Sequence, residues 1–162
     1  MFKFNIWIDA DSFPQKARSF SVQLAKSNEI PIVFVANHEI KINVAWSGFK
    51  MEIVPKTQGA ADDFICENVS ENDIVLTRDI PFAARIVEKK ISVMNDRGVK
   101  FTAENIEDRL AEREFSLNLS AIGLGKNKGN FYGEKEFKKF CSEFEREISN
   151  HKMIETYNIK RF

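Results

Sequence analysis

Acidic residues recur just past the ends of β-rich runs. Phe4 to Ile8 leads straight into Asp9-Ala10-Asp11, and Ile74 to Thr77 leads into Arg78-Asp79. Both are soon followed by a proline, Pro14 or Pro81, of the kind that opens a helix. A third run, Ile91 to Met94, ends in Asn95-Asp96-Arg97-Gly98, and Asp62 and Asp63 follow Gly59 in the first turn of a helical segment. Adjacent residues on a helix point about 100° apart, so only one of Asp62 and Asp63 is expected to face a cleft, and either fits.

Clustered carboxylates repel one another until protons or a cation neutralise them, and an all-oxygen donor set suits Mg²⁺ or Mn²⁺. Asp9, Asp11, Asp62, Asp63 and Asp79 are therefore the candidate metal ligands, with Asp9 and Asp79 the candidate catalytic acids. An ion held this way can activate a water and neutralise charge on a phosphate in transfer. Lys16, Arg78 and Arg97 are candidate phosphate contacts, and Asn37 and Asn95 complete the substrate-binding set. The plain alternative is that an Asp at a helix start is a cap on the macrodipole.

These residues need a frame that brings strand ends together. Phe4 to Ile8, Ile32 to Val35, Phe49 to Val54, Ile74 to Thr77 and Ile91 to Met94 read as five strands. Amphipathic segments Pro14 to Lys26, Ala60 to Val69 and Pro81 to Lys89 lie between them. That alternation predicts an α/β domain with a central, mainly parallel five-stranded sheet flanked by helices, and ligands bind such sheets outside the carboxyl ends of the strands. Ala36 to Ser47 reads as a loop or an edge strand. Thr102 caps a helix through Phe115, with a shorter one following to Ile122. Gly123 to Gly133, carrying Lys126 and Lys128, reads as a glycine-rich loop. Phe137, Phe140, Phe144 and Ile148 fall at helical spacing, and 152–162 reads as a tail after a single domain over 1–151.

With 162 residues, 24 basic against 24 acidic groups and 15 Phe, the chain predicts one globular unit with an aromatic core and no global field for polyanions. Cys66 and Cys141 form no metal or disulfide pattern and read as buried thiols. His38 and His151 read as surface residues, and Trp7 and Trp46 as core. No run approaches the roughly 20 apolar residues of a membrane span, so a cytoplasmic location is expected and no membrane partner.

The chain resembles the YaiI/YqxD family, related in fold to PIN-domain nucleases. The resemblance rests on Ile8-Asp9-Ala10-Asp11 with Pro14 and Lys16, Val35-Ala36-Asn37, Gly59-Ala60-Ala61-Asp62-Asp63, Thr77-Arg78-Asp79-Ile80-Pro81, Asn95-Asp96-Arg97-Gly98 and Thr102-Ala103-Glu104-Asn105-Ile106. It implies a three-layer, Rossmann-like PIN-type fold. It also implies that Asp9, Asp79 and one of Asp62 and Asp63 stand where PIN nucleases hold Mg²⁺ or Mn²⁺. Phe13, Asp96 and the Gly125 loop depart from the family pattern without removing an acid.

The leading functional expectation is a metal-dependent nuclease acting on RNA, single-stranded because a neutral protein lacks the basic face of a duplex binder. A phosphatase of the haloacid-dehalogenase type, with Asp9 of the D-x-D motif as nucleophile, is the second. A non-catalytic metal- or nucleic-acid-binding module is the third. A homodimer is expected by analogy of fold.

Overall fold

A computed structural model describes residues 2–125 and 131–160. Strands β1 (Ile6–Asp9), β2 (Ile32–Ala36), β3 (Phe49–Ile53), β4 (Ile74–Leu76), β5 (Ser92–Met94) and β6 (Lys100–Phe101) form one sheet in the order β3-β2-β1-β4-β5-β6. The first five run parallel, and β6 pairs antiparallel with β5. The sixth strand corrects the count of five. At two residues it is too short to show alternation, and it exists because the chain reverses tightly after Met94. Asn95 Oδ1 accepts the amide protons of Arg97 and Val99, each at 2.9 Å. Gly98 takes φ +77°, where a Cβ would also meet the Lys139 carbonyl oxygen at 2.8 Å.

Helices α1 (Gln15–Ser27), α2 (Ala60–Asn68), α3 (Ile80–Glu88), α4 (Ile106–Ala121) and α5 (Glu134–Tyr157) cover both faces. Strand alternation sorts the core in two. Ile6, Ile8, Ile32, Phe34, Ile74 and Leu76 point to one side, where Ala17, Val22, Phe140, Phe144 and Ile148 of α1 and α5 meet them. Trp7, Val33, Val35, Val75 and Val93 point to the other, against Ile65, Phe82, Ala83, Ile86 and Ile106 of α2, α3 and α4. Nearly continuous burial along β1, β2, β4 and β5 is what a sheet covered on both faces requires. Among the described residues no helix is long and apolar enough to cross a membrane.

Of the two forms open to Ala36 to Ser47, the structure has the loop: residues 37–48 contain no strand, and Ile40, Ile42 and Val44 pack against the α1 side of the core. Other boundaries differ from the expectation. Thr102 exchanges bonds with Asn105 in the turn before α4, whose cap is Asn105, and α4 runs unbroken to Ala121. The tail expected from 152 is helical to Tyr157. Lys126 and Lys128 lie outside the described residues. Cys66 is buried and Cys141 partly so, and both are free thiols.

His151 is a correction of another kind, being buried at 2% exposure. It extends the stripe of Phe140, Phe144 and Ile148, and its polar neighbours Asn150 and Lys152 mask that spacing. Its Nδ1 lies 2.8 Å from the Asn72 carbonyl, and its Nε2 lies 2.9 Å from Glu147 Oε1 and 3.1 Å from Ser92 Oγ. Lys100 Nζ reaches both Glu147 oxygens at 3.1 Å. Burial pushes the Glu147 carboxyl up, but the hydrogen bond with His151, the Lys100 charge and the bond from Ser92 outweigh it and bring it down to about 2.

Candidate functional site

The strand order reverses between β1 and β4, because β2 and β3 build outward on one side and β5 and β6 on the other. A crevice opens at the carboxyl ends of strands at such a reversal. Asp9 ends β1, and Asp79 follows β4 by three residues. Here they share a polar pocket of about 190 Å³ with Asp11, Asn37, Asp62 and residues of the segment between Val54 and Ala61.

Each acid is held by a different local device. Asp9 Oδ2 accepts from Thr77 Oγ1 at 2.9 Å and from Ser12 Oγ at 3.1 Å. Thr77 Oγ1 in turn accepts the Asp79 amide proton at 3.0 Å, so one buried hydroxyl ties the two acids together. Asp79 caps α3, its Oδ1 accepting the Phe82 amide proton at 3.0 Å, while Pro81 occupies the first turn, where its missing N–H costs nothing. Asp11 Oδ2 accepts the Asn37 amide proton at 2.9 Å, and its Oδ1 lies 3.2 Å from His38 Nδ1. Arg18 braces the loop from behind by donating to the Ala10 and Phe13 carbonyls.

The choice between Asp62 and Asp63 is made by α2. Gly59, at φ +80°, turns the chain into the helix and sends Asp62 toward the pocket, whereas Asp63 pairs outward with Arg85 at 3.0 Å. Electrostatics agree with that placement. Burial, reinforced by the charges of Asp79 and Asp9, pushes the Asp62 carboxyl up to about 6. Burial also raises Asp9, against the hydrogen bonds from Thr77 and Ser12 and with the charges of Asp79 and Asp11.

The pocket therefore gathers Asp9, Asp11, Asp62, Asp79 and Asn37 from the sequence-derived set. Asp63, Lys16, Arg78, Asn95 and Arg97 do not line it. Lys16 pairs with Glu134 at 3.2 Å and lies over the Phe137 ring. Arg78 Nε is 3.3 Å from Asp96 Oδ2, close enough to pair by charge, although that oxygen, buried, receives no aligned hydrogen bond among the described residues. Asn95 is spent on the β5 to β6 reversal. Arg97 donates to the Phe131 carbonyl and stands 3.8 Å from Glu136. Thr77 and Ser12 went unread in the sequence; the available signal was a hydroxyl two or three residues from an acid, a spacing at which such side chains bond locally.

The donors lining the pocket are oxygens, of the kind that suit hard divalent cations. Among the described residues no three of His, Cys, Asp and Glu converge closely enough to enclose an ion by themselves.

Fold and site define an α/β protein with a mostly parallel sheet and a carboxylate pocket at its strand-order reversal. The chain belongs to the family described as "Uncharacterized BCR, YaiI/YqxD family", whose model matches residues 7–150. A UPF0178 protein of Treponema denticola is 42% identical over 137 residues, 85% of this chain and 86% of that protein. A UPF0178 protein of Psychromonas ingrahamii is 36% identical, covering 91% and 97%, and one of Syntrophobacter fumaroxidans is 34% identical, covering 89% and 94%. No solved structure matches the chain.

Proposed function

We propose that the pocket binds Mg²⁺ or Mn²⁺ and that the protein is a metal-dependent phosphodiesterase acting on single-stranded RNA, on a PIN-type scaffold. The observation that carries the reading is the gathering of Asp9, Asp11, Asp62 and Asp79 around one pocket, where burial first, and then the charges of Asp79 and Asp9, raise the Asp62 carboxyl to about 6. A site arranged against its own charge is where function is expected. The donor chemistry fits: Mg²⁺ commonly takes one or two carboxylates and keeps several waters, so three enclosing side chains are not needed. When bound, such an ion supplies charge neutralisation and an activated water.

The chain's own residues supply the rest. Thr77 and Ser12 engage one oxygen of Asp9, and Phe82 N–H engages one oxygen of Asp79, which fixes both carboxylates before any ligand arrives. Asp62 keeps its proton below about pH 6 and gives it up to a cation, which makes binding favour higher pH. Asn37 stands at the pocket wall. Lys16, Arg78 and Arg97 are the phosphate contacts of this reading, each exchanging its present acidic partner for a phosphate.

The test is Mn²⁺-dependent cleavage of single-stranded and structured RNAs by the wild type, Asp9→Asn and Asp79→Asn, alongside calorimetric Mn²⁺ binding. Activity lost in both variants with the fold intact supports the reading. Activity that persists in both refutes it. Mn²⁺ binding that both variants abolish, with no cleavage of any RNA by the wild type, refutes the nuclease and leaves a binding module.

A further inference from the structure

Helix α4 packs on α3, and in its first turns Ile106 is buried and Leu110 packs on the core. From Ala111 to Ala121 every residue except Leu119 is exposed. Charge stops in this projecting part: Phe115 to Gly125 is eleven residues long without an ionisable side chain, in a chain that is 30% charged. Leu117 continues the inward stripe of Ile106 and Leu110 beyond the body that covers it. Phe115, Leu119 and Ile122, spaced i, i+4, i+7, form a second stripe on the opposite side. A helix apolar on two sides belongs to a buried environment.

We infer that the segment from Phe115 to Leu124, the outer part of α4 and the turn that follows it, is the interface of a homodimer. The occupant follows from area and charge. Phe115, Leu117, Ile122 and Leu124 are 64%, 52%, 67% and 71% exposed. At their sizes they present on the order of 450 Å² of apolar surface, spread over two sides of the projecting segment, so a partner must wrap both sides to bury it. Interfaces are a little over half apolar, so wrapping this surface with its polar rim comes to about 700–800 Å² per subunit, the standard size for a stable pair. A second copy brings the same uncharged segment, Phe115 to Gly125, so a two-fold contact there matches apolar stripe to apolar stripe and buries no charge. With 24 acidic and 24 basic residues the copies also carry no net charge to repel each other.

Sedimentation velocity of the full chain between 5 and 200 µM, concentrations chosen to bracket a micromolar dimer, reads the result. The expected species has twice the 18.7 kDa mass of one chain. The double variant Leu117→Glu, Ile122→Glu is expected to weaken dimerisation by about 100-fold or more, with an unchanged circular dichroism spectrum. Amide exchange over 115–124 in the wild type supplies a readout that needs no variant: it slows as concentration rises, while exchange in β1 and β4 does not change. A wild type that stays monomeric throughout, or a folded double variant that dimerises as tightly, overturns the inference.

Discussion

Replacing Asp62 by Asn is expected to stabilise the protein while removing cation binding. The carboxyl rises from its ordinary 3.8 to about 6, chiefly by burial and then by the charges of Asp79 and Asp9. At 1.36 kcal/mol per pH unit that is about 3 kcal/mol, and screening at a half-exposed side chain reduces it to roughly 1 kcal/mol. The sign follows from a folded value above the unfolded one: ionisation weakens the fold. The penalty is absent below about pH 4, grows between about 4 and 6, and is complete above that. Asp62→Asn should therefore raise Tm by about 2–4 °C at pH 8 and by nothing near pH 4, the shift typical of 1 kcal/mol in a chain this size. Thermal unfolding followed by circular dichroism at several pH values reads this directly. Millimolar Mg²⁺ should raise the wild-type Tm and leave the variant's unchanged. A Tm gain independent of pH, or none at pH 8, would refute the electrostatic account of the pocket.

Thr77→Val keeps the shape of the strand end but removes the hydroxyl that joins Asp9 to Asp79; about 1–2 kcal/mol of stability should be lost in urea unfolding, together with Mn²⁺ affinity by calorimetry. Glu147 is the opposite case from Asp62. Its folded value of about 2 lies below the ordinary 4.5, so its contribution of roughly 3 kcal/mol is present above about pH 4.5 and disappears as pH falls toward 2. Glu147→Gln should flatten that part of the acid unfolding curve while also destabilising the protein at neutral pH.

Period and punctuation made much of this protein readable. β1, β2 and β4 are apolar runs closed by polar residues, α1 and α2 follow Pro14 and Gly59, and α3 carries Pro81 in its first turn, so their order and type could be stated from the residues alone. The strand-end acids followed from that frame, since placing the strands places what comes after them. Three things escaped for physical reasons. β6 owes its existence to a turn held by Asn95, not to any pattern of its own. The orientation of Asp62 against Asp63 depends on the left-handed Gly59 and on Arg85, which is distant in sequence. Lys16, Arg78 and Arg97 are cations on the expected rim whose directions are set by Glu134, Asp96 and Glu136, partners that local sequence does not announce.

The sheet ends on one side with β3, which is hydrogen-bonded to β2 alone. Its outer edge is a template on which a strand from another molecule could nucleate aggregation. Lys50 and Glu52 stand on this edge strand, paired at 2.8 Å, and a docking strand would have to strip water from both. At the opposite edge β6 is two residues long, too short to guide an incoming strand. With a pI near 6.8 the molecules have almost no colloidal repulsion at neutral pH, so their solubility there rests on these two local guards. Uncharged substitutions at Lys50 and Glu52 would leave the pocket untouched and bring the protein out of solution near neutrality first.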